Sequence, residues 1–295
     1  MVTFHDLSSV FALIRVTGSS RADFLHRMST GDLISIKPGE VRATVFTTPI
    51  GRMVEVGVVY AFADHILLRV STRGKDKLLR WLRKYVFYND DVQFTDERTS
   101  VVTVGMLGDG VSEWIRQHSA ADHDDQHVGH WQICDTITAH QTMLSGAPVV
   151  LLMGDQMALA PFIDGPMMLV DAYESARISA GIPKYGHEIS EDFNPLEAGL
   201  WDCVSFTKGC YIGQEIFARM ESRNQLAKKL VVIELADGQQ GARVVVAGAD
   251  VGSITSASAN HALAYVRSAA AIPNEAVTSG TRIGRIDHVA RASGL

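Results

Sequence analysis

Hydrophobic and polar positions change their period several times along the chain, and the changes divide it. Residues 10–16 are apolar and β-branched, as a strand requires. Thr17-Gly18-Ser19-Ser20 leads into an amphipathic helix over 22–28, with Ser19 or Ser20 as its cap and Asp23 in its first turn. Residues 41–47 and 53–61 read as strands flanking Pro49-Ile50-Gly51, a hairpin, and 66–70 as a further strand. The clearest helix spans 75–87. There Leu78, Leu79, Leu82, Tyr85 and Val86 form one stripe, and Arg73, Lys75, Lys77, Arg80, Arg83 and Lys84 occupy other faces. Those basic residues read as a solvated helix surface rather than a face for phosphate or an acidic partner. Strands follow at 101–107, 131–135 and 148–153. Helices follow at 111–118 and 168–180, the latter stopped by Gly181-Ile182-Pro183. The first 220 residues therefore mix helices and strands in an α+β manner. Beyond residue 222 the helical period vanishes. Short strands at 230–235, 242–246, 251–254, 262–266 and 281–286 alternate with glycines, the pattern of a small antiparallel barrel or sandwich.

Composition sharpens this picture. With 295 residues, 46% of them apolar and 20% charged, the chain is globular, has two or three domains, and is not mainly disordered. The net charge of −6 excludes a nucleic-acid coat over the whole surface. The charge is uneven: residues 222–295 hold 8 basic and 5 acidic side chains, the remainder 19 and 28, which supports a boundary near 222. The longest apolar run, 147–153, is far short of the ~20 residues that cross a bilayer. The first residues lack a basic leader segment, and three cysteines are too few for a disulfide scaffold, so the expected compartment is cytoplasmic.

Three places could carry chemistry. His118, His123, His127 and His130 lie among Asp122, Asp124 and Asp125, donor types that suit zinc, but without the glutamate and third ligand of a metalloprotease motif. A polar surface loop is the better reading, and no metal is expected. Cys134 reads as a buried structural thiol in a strand. Cys203, in a strand-like stretch over 201–206, precedes Cys210 by seven residues, which is not a zinc spacing. The segment Lys208-Gly209-Cys210-Tyr211-Ile212-Gly213-Gln214-Glu215 is different. Its glycines free the backbone around the thiol, Lys208 can stabilise a thiolate, and a helix over 214–220 would place Cys210 near a helix N-terminus. The alternative is a glycine turn with an incidental cysteine. No partner histidine is evident, so a papain-like hydrolase is not indicated.

The octapeptide 208–215 resembles the signature of the YgfZ family, tetrahydrofolate-binding relatives of the glycine-cleavage T-protein. The resemblance continues through Arg219, upstream through Arg177 to Pro183 and Asn194-Pro195-Leu196-Glu197, and near the N-terminus through Gly18, Phe24-Leu25 and Ser29-Thr30-Gly31-Asp32-Leu33. It implies an α+β fold of three parts around a central hole: two ferredoxin-like α+β pieces, one inserted in the other, and a C-terminal antiparallel β-barrel. The corresponding boundaries are 1–45 with 97–221, an inserted 46–96, and 222–295.

The resemblance also implies a role in assembling or maintaining iron–sulfur clusters in client enzymes, with tetrahydrofolate or a one-carbon derivative as ligand, and no nucleic-acid or membrane partner. Cys210 and Lys208 would carry the chemistry, with Gly209, Tyr211, Gly213, Gln214, Glu215 and Arg219 as the signature loop. Glu55, Arg177, Ser179 and Glu197 would contact the folate. The alternative is a folate-dependent one-carbon transferase of the aminomethyltransferase kind. In those enzymes a Gly-Gly-(apolar)₂-Asp-Asp segment supplies a catalytic Asp, where this chain has Gly51 to Val56 with Glu55 as its carboxylate. Their Arg-Leu-Glu-Ala-Gly-Leu helix has Ser179 here in place of Glu, and losing an acceptor from a buried polar site costs about 1–3 kcal/mol.

Overall fold

The computed structural model describes residues 2–97, 101–118, 129–134, 136–144, 147–165, 167, 168, 170–223 and 225–291. The chain begins with β1 (Thr3–Asp6), β2 (Phe11–Thr17), α1 (Arg21–Met28), β3 (Val41–Thr47), β4 (Met53–Ala61), β5 (Ile66–Ser71), α2 (Lys75–Arg83) and β6 (Gln93–Asp96). Strands β2 to β6 form an antiparallel sheet in the order β3-β4-β5-β2-β6. Both helices cover one face: Phe24, Leu25 and Met28 of α1 and Leu78, Leu79 and Leu82 of α2 pack on Ile14, Val16, Phe46, Leu68 and Val70. The other face meets a second sheet.

That second sheet is built from β7 (Val102–Leu107), β8 (Gly129–Cys134), β9 (Ile137–Leu144), β10 (Ala147–Gly154) and β11 (Met167–Met168), with β1 returning to it. Its order is β11-β1-β7-β10-β9-β8. Helix α3 (Val111–His118) packs on one side through Val111 and Ile115. A short α4 (Gln156–Leu159) is capped by the Asp155 carboxylate. Then come α5 (Val170–Ser179) and α6 (Gln214–Arg223). The remaining strands, β12 (Lys228–Glu234), β13 (Arg243–Val246), β14 (Ala249–Ala257), β15 (His261–Arg267), β16 (Ala276–Ser279) and β17 (Arg282–Val289), close into a barrel, one of the two outcomes that the C-terminal pattern leaves open.

Strand β4 is buried at all nine positions because it is an interior strand of its sheet and covered on both sides. Val54 and Val59 join the helix-side core, while Val58 and Tyr60 meet Met153 of β10. The Tyr60 hydroxyl is hydrogen-bonded to His140 Nδ1 of β9 at 3.0 Å, a wholly buried polar link between the two sheets.

Several expectations are corrected. Strands β2 and β3 pair within the five-stranded sheet, so the inserted unit takes in residues 11–96, and its first junction lies near residue 10 instead of 45. A hairpin such as β3–β4, paired from Val41↔Tyr60 to Thr47↔Met53, cannot be divided between units. Ser20 takes the N-cap position of α1, but neither its hydroxyl nor that of Ser19 makes a capping hydrogen bond. The Ser19 hydroxyl donates to Asp91 Oδ2 and the Ser20 hydroxyl accepts from the Asp91 amide, tying the helix start to the return loop. Lys75 is not on a solvated face: it is fully buried and paired with Asp96 and Asp76. Residues 201–203 form a single 3₁₀ turn rather than a strand, and Cys134 is exposed. The structure also adds β1, β6, β9, β11 and β16 to the strands expected from the pattern, and with Met168 in β11 the helix expected over 168–180 begins at Val170.

Candidate active site: a cavity between the sheets and a thiol loop

Glu55 is the only charged residue of β4, and its carboxyl has no surface to reach, since the residue is 1% exposed. Ser71 at the end of β5 donates its hydroxyl to Glu55 Oε2 at 2.5 Å and accepts the Gly74 amide at 2.9 Å. Gly74 leaves the room this contact needs: a Cβ on it would lie 1.8 Å from Glu55 Oε2 and 2.7 Å from the Tyr185 ring. Burial pushes the Glu55 carboxyl up to about 8, against the pull of the Ser71 hydroxyl. At neutral pH Glu55 is therefore mostly the uncharged acid and can donate a proton.

Glu55 opens onto a cavity of about 260 Å³. One wall comes from β4 and β5, with Val56, Val58, Arg69 and Ser71. The opposite wall comes from β9 and β10, with Thr142, Leu144 and Leu151. Helix α5 and the segment from Ile182 to Ile189 complete it with Tyr173, Arg177, Lys184 and Tyr185. The Arg177 guanidinium is buried and saturated. It donates to Glu174 at 2.9 Å, to the Ile182 carbonyl at 3.1 Å and to Ser256 Oγ of the barrel at 3.0 Å, and it pairs with buried Glu188 at 3.4 Å. Its role is to hold α5, the 182–188 turn and the barrel together around the cavity.

Of the four residues expected at the folate, the cavity thus receives Glu55 and Arg177 but not Ser179 or Glu197. Ser179, at the end of α5, donates its hydroxyl to the Ala176 carbonyl of its own helix. Glu197 takes part in a reciprocal turn with Asn194 and lines a separate cavity of about 390 Å³ beside the barrel. Sequence reasoning missed Arg69, Ser71, Gly74 and Tyr185. Only Gly74 carried a signal, as a glycine directly before a helix.

The signature loop forms elsewhere. Lys208 Nζ donates to the carbonyls of His26 (2.5 Å), Ser29 (2.7 Å) and Gly31 (2.7 Å) and lies 4.6 Å from the centre of the Tyr211 ring. Burial lowers the Lys208 pKa to about 7, against the opposing pull of the Asp32 carboxylate. All three N–H groups are spent on carbonyls, so the expected pairing of Lys208 with a Cys210 thiolate is not what the structure shows. The lysine instead clips the loop to the exit of α1. This joins 208–215 to Ser29–Leu33, two stretches that the sequence resemblance quoted separately.

Gly213 adopts φ +85° and comes close to the β3–β4 turn, where its Cβ would lie 3.0 Å from the Thr48 carbonyl. Gly209 has open space around it. Tyr211 is buried, while Cys210, Glu215 and Arg219 are exposed and Gln214 begins α6. Cys210 precedes α6 by four residues and so does not sit at its N-terminus. It is a free thiol that does not line the inter-sheet cavity. Cys203 is buried, and burial pushes its thiol up to about 12.

Of the histidine cluster, His118 Nδ1 is hydrogen-bonded to the Trp114 carbonyl (2.9 Å) and His130 Nε2 to the Ala61 carbonyl (3.1 Å); residues 119–128, with His123 and His127, lie outside the described residues. One group not foreseen from sequence, Glu234, His261 and Asp287 on the barrel, brings three ligand-type atoms within 4.8 Å, with Glu234 already paired to Arg285.

Residues 2–152 match the family model described as the GCVT N-terminal domain. A chloroplastic protein of Arabidopsis thaliana named as a candidate transferase is 32% identical over 97% of this chain and 70% of its own length. The chain belongs to the GCVT-domain, aminomethyltransferase-like family. Other members include the aminomethyltransferases of Lysinibacillus sphaericus (25% identical, 82% of this chain and 71% of that protein) and Symbiobacterium thermophilum (26%, 85% and 75%). The fold is that of the glycine cleavage system aminomethyltransferase T from Bartonella henselae: TM-score 0.83 at 18% identity, covering 97% of this chain and 85% of that one. The three-part architecture expected from the resemblance is thereby shown. Among the described residues no helix is long and apolar enough to cross a membrane.

Proposed function

We propose that this GCVT-family chain binds a reduced folate in the inter-sheet cavity and serves iron–sulfur client proteins through the exposed thiol of Cys210. The observation that carries the folate reading is the uncharged Glu55 acid at a largely apolar cavity. Its volume of about 260 Å³ is near the lower end of the ~300–1,000 Å³ usual for small-molecule sites. A flat heteroaromatic ring with donors and acceptors on its edge suits such a slot, with Glu55 and Ser71 as polar partners and Val56, Val58 and Leu151 as walls. Tetrahydrofolate, when bound, supplies a nitrogen pair that carries one-carbon groups. Glu55 would hold a proton toward that ligand, and its burial would exclude water. The aminomethyltransferases among the relatives support a folate as the ligand.

The client reading is supported by the likeness of residues 208–215 to the YgfZ signature and by a loop that holds Cys210 free and exposed while anchoring its neighbours. Three cysteines in one chain do not make a four-thiolate cluster site, so Cys210 would act between chains. The test is complementation of a bacterium lacking its own YgfZ-type protein, with a cluster-dependent enzyme as readout. Rescue by the chain but not by Cys210→Ala supports the reading. Equal rescue by both removes Cys210 from it, and failure of a soluble, folded chain counts against it.

Aminomethyl transfer is the second reading. A retained acid at position 55 favours it, and the withdrawal of Ser179 from the cavity weighs against it.

A further inference from the structure

The cavity holds a second buried polar group with a different demand. Arg69 lies on β5, on the face turned toward the second sheet, and is 5% exposed. Its guanidinium sits 4.4 Å from the centre of the Phe11 ring and lines the cavity together with Phe11 and Tyr173. Among the described residues it has no hydrogen-bond or ion-pair partner. A guanidinium carries five N–H donors and keeps its charge, and burying it unpaired is costly. The other buried Lys and Arg side chains among the described residues are matched: Arg177 by Glu174 and Glu188, Lys75 by Asp96. The two acids of the cavity wall are not available to it. Glu174 is committed to Arg177 and Lys184, and Glu55 is held by Ser71.

We infer that Arg69 is the anion receptor of the inter-sheet cavity, taking a carboxylate or phosphate group of the bound ligand against the Phe11 and Tyr173 rings. The planar fork suits a two-oxygen anion bound through paired N–H···O contacts, and the Phe11 ring face below it keeps the fork flat in the wall. The inference rests on and deepens the folate reading by giving the cavity's ligand an acid group that meets Arg69. It stands on the unpaired guanidinium, whichever ligand bears the anion.

The test is equilibrium binding to the full chain and to Arg69→Met, with Arg69→Lys as a second variant that keeps the charge and loses the fork. Thermal unfolding confirms that each variant is folded. Tetrahydrofolate is compared with 6-methyltetrahydropterin, which lacks a carboxylate, and with p-aminobenzoate and inorganic phosphate as bare anions. The inference predicts that Arg69→Met weakens tetrahydrofolate at least tenfold and leaves the carboxylate-free pterin within twofold, with Arg69→Lys intermediate. If tetrahydrofolate binds the wild type and Arg69→Met equally, the inference is overturned and the folate reading stands. If tetrahydrofolate fails to bind but p-aminobenzoate or phosphate binds in an Arg69-dependent way, the folate reading falls and the inference stands, with the stronger of those two naming the anion. If no anion binds the wild type, both fall.

Discussion

Replacing Glu55 with glutamine removes one ionisable proton from the middle of β4 while keeping the side chain's size. In the folded protein the carboxyl is raised from its ordinary 4.5 to about 8 by burial. Between those values the folded chain keeps a proton that the unfolded chain has released. The site's contribution to stability is therefore fully present below pH 4.5 and is lost as the pH rises toward 8. The slope approaches about 1.4 kcal/mol per pH unit, so roughly 3 kcal/mol is lost between pH 5 and pH 8. Glu55→Gln lacks this loss. Urea unfolding of both proteins at intervals from pH 5 to pH 8 gives the comparison, and taking the difference cancels every other titrating group, Lys208 included. The variant should gain on the wild type by about 3 kcal/mol across that range. A difference that stays constant with pH, or that moves the other way, would refute a neutral, buried Glu55.

Other expectations follow from the same contacts. Gly74→Ala sets a Cβ against the Glu55 carboxyl and should cost about 1–3 kcal/mol of stability by thermal unfolding, with the loss reduced when Glu55 is also made alanine. Lys208→Met strips three carbonyls of their donor and should destabilise by about 2 kcal/mol or more in urea titrations. A chromogenic disulfide reagent should label two thiols of the native protein, Cys134 and Cys210, and reach Cys203 only on unfolding; Cys210→Ala should leave one rapid equivalent.

The C-terminal unit was legible as all-β because short strands punctuated by glycine leave a barrel or a sandwich; the closed barrel came from the family resemblance, and the pairing of β12 with both β15 and β17 closes it. The buried strand β4 was legible as a run of apolar residues, and its one carboxylate stood out for that reason. Arg69 was not. In β5 the residues Ile66, Leu68 and Val70 take the helix-side face and Leu67, Arg69 and Ser71 the other. An arginine on an alternate face reads as a solvent position until the second sheet is seen to cover it. The same limit explains Lys75, whose partner Asp96 is twenty-one residues away on β6. The loop 208–215 was legible as a motif, but its lysine was assigned to the neighbouring thiol because distance along the chain was the only distance available. In the folded chain Lys208 reaches across to the exit of α1. The junction placed at residue 45 failed for a related reason: strand period marks β3 but does not say which sheet it joins.

The most direct test of the central claim is a crystal structure of the protein grown with 5-formyltetrahydrofolate, a stable reduced folate. The account predicts density for the ring system between β4–β5 and β9–β10, in contact with Glu55. A cavity without ligand at saturating concentration, or a ligand bound elsewhere, would contradict it.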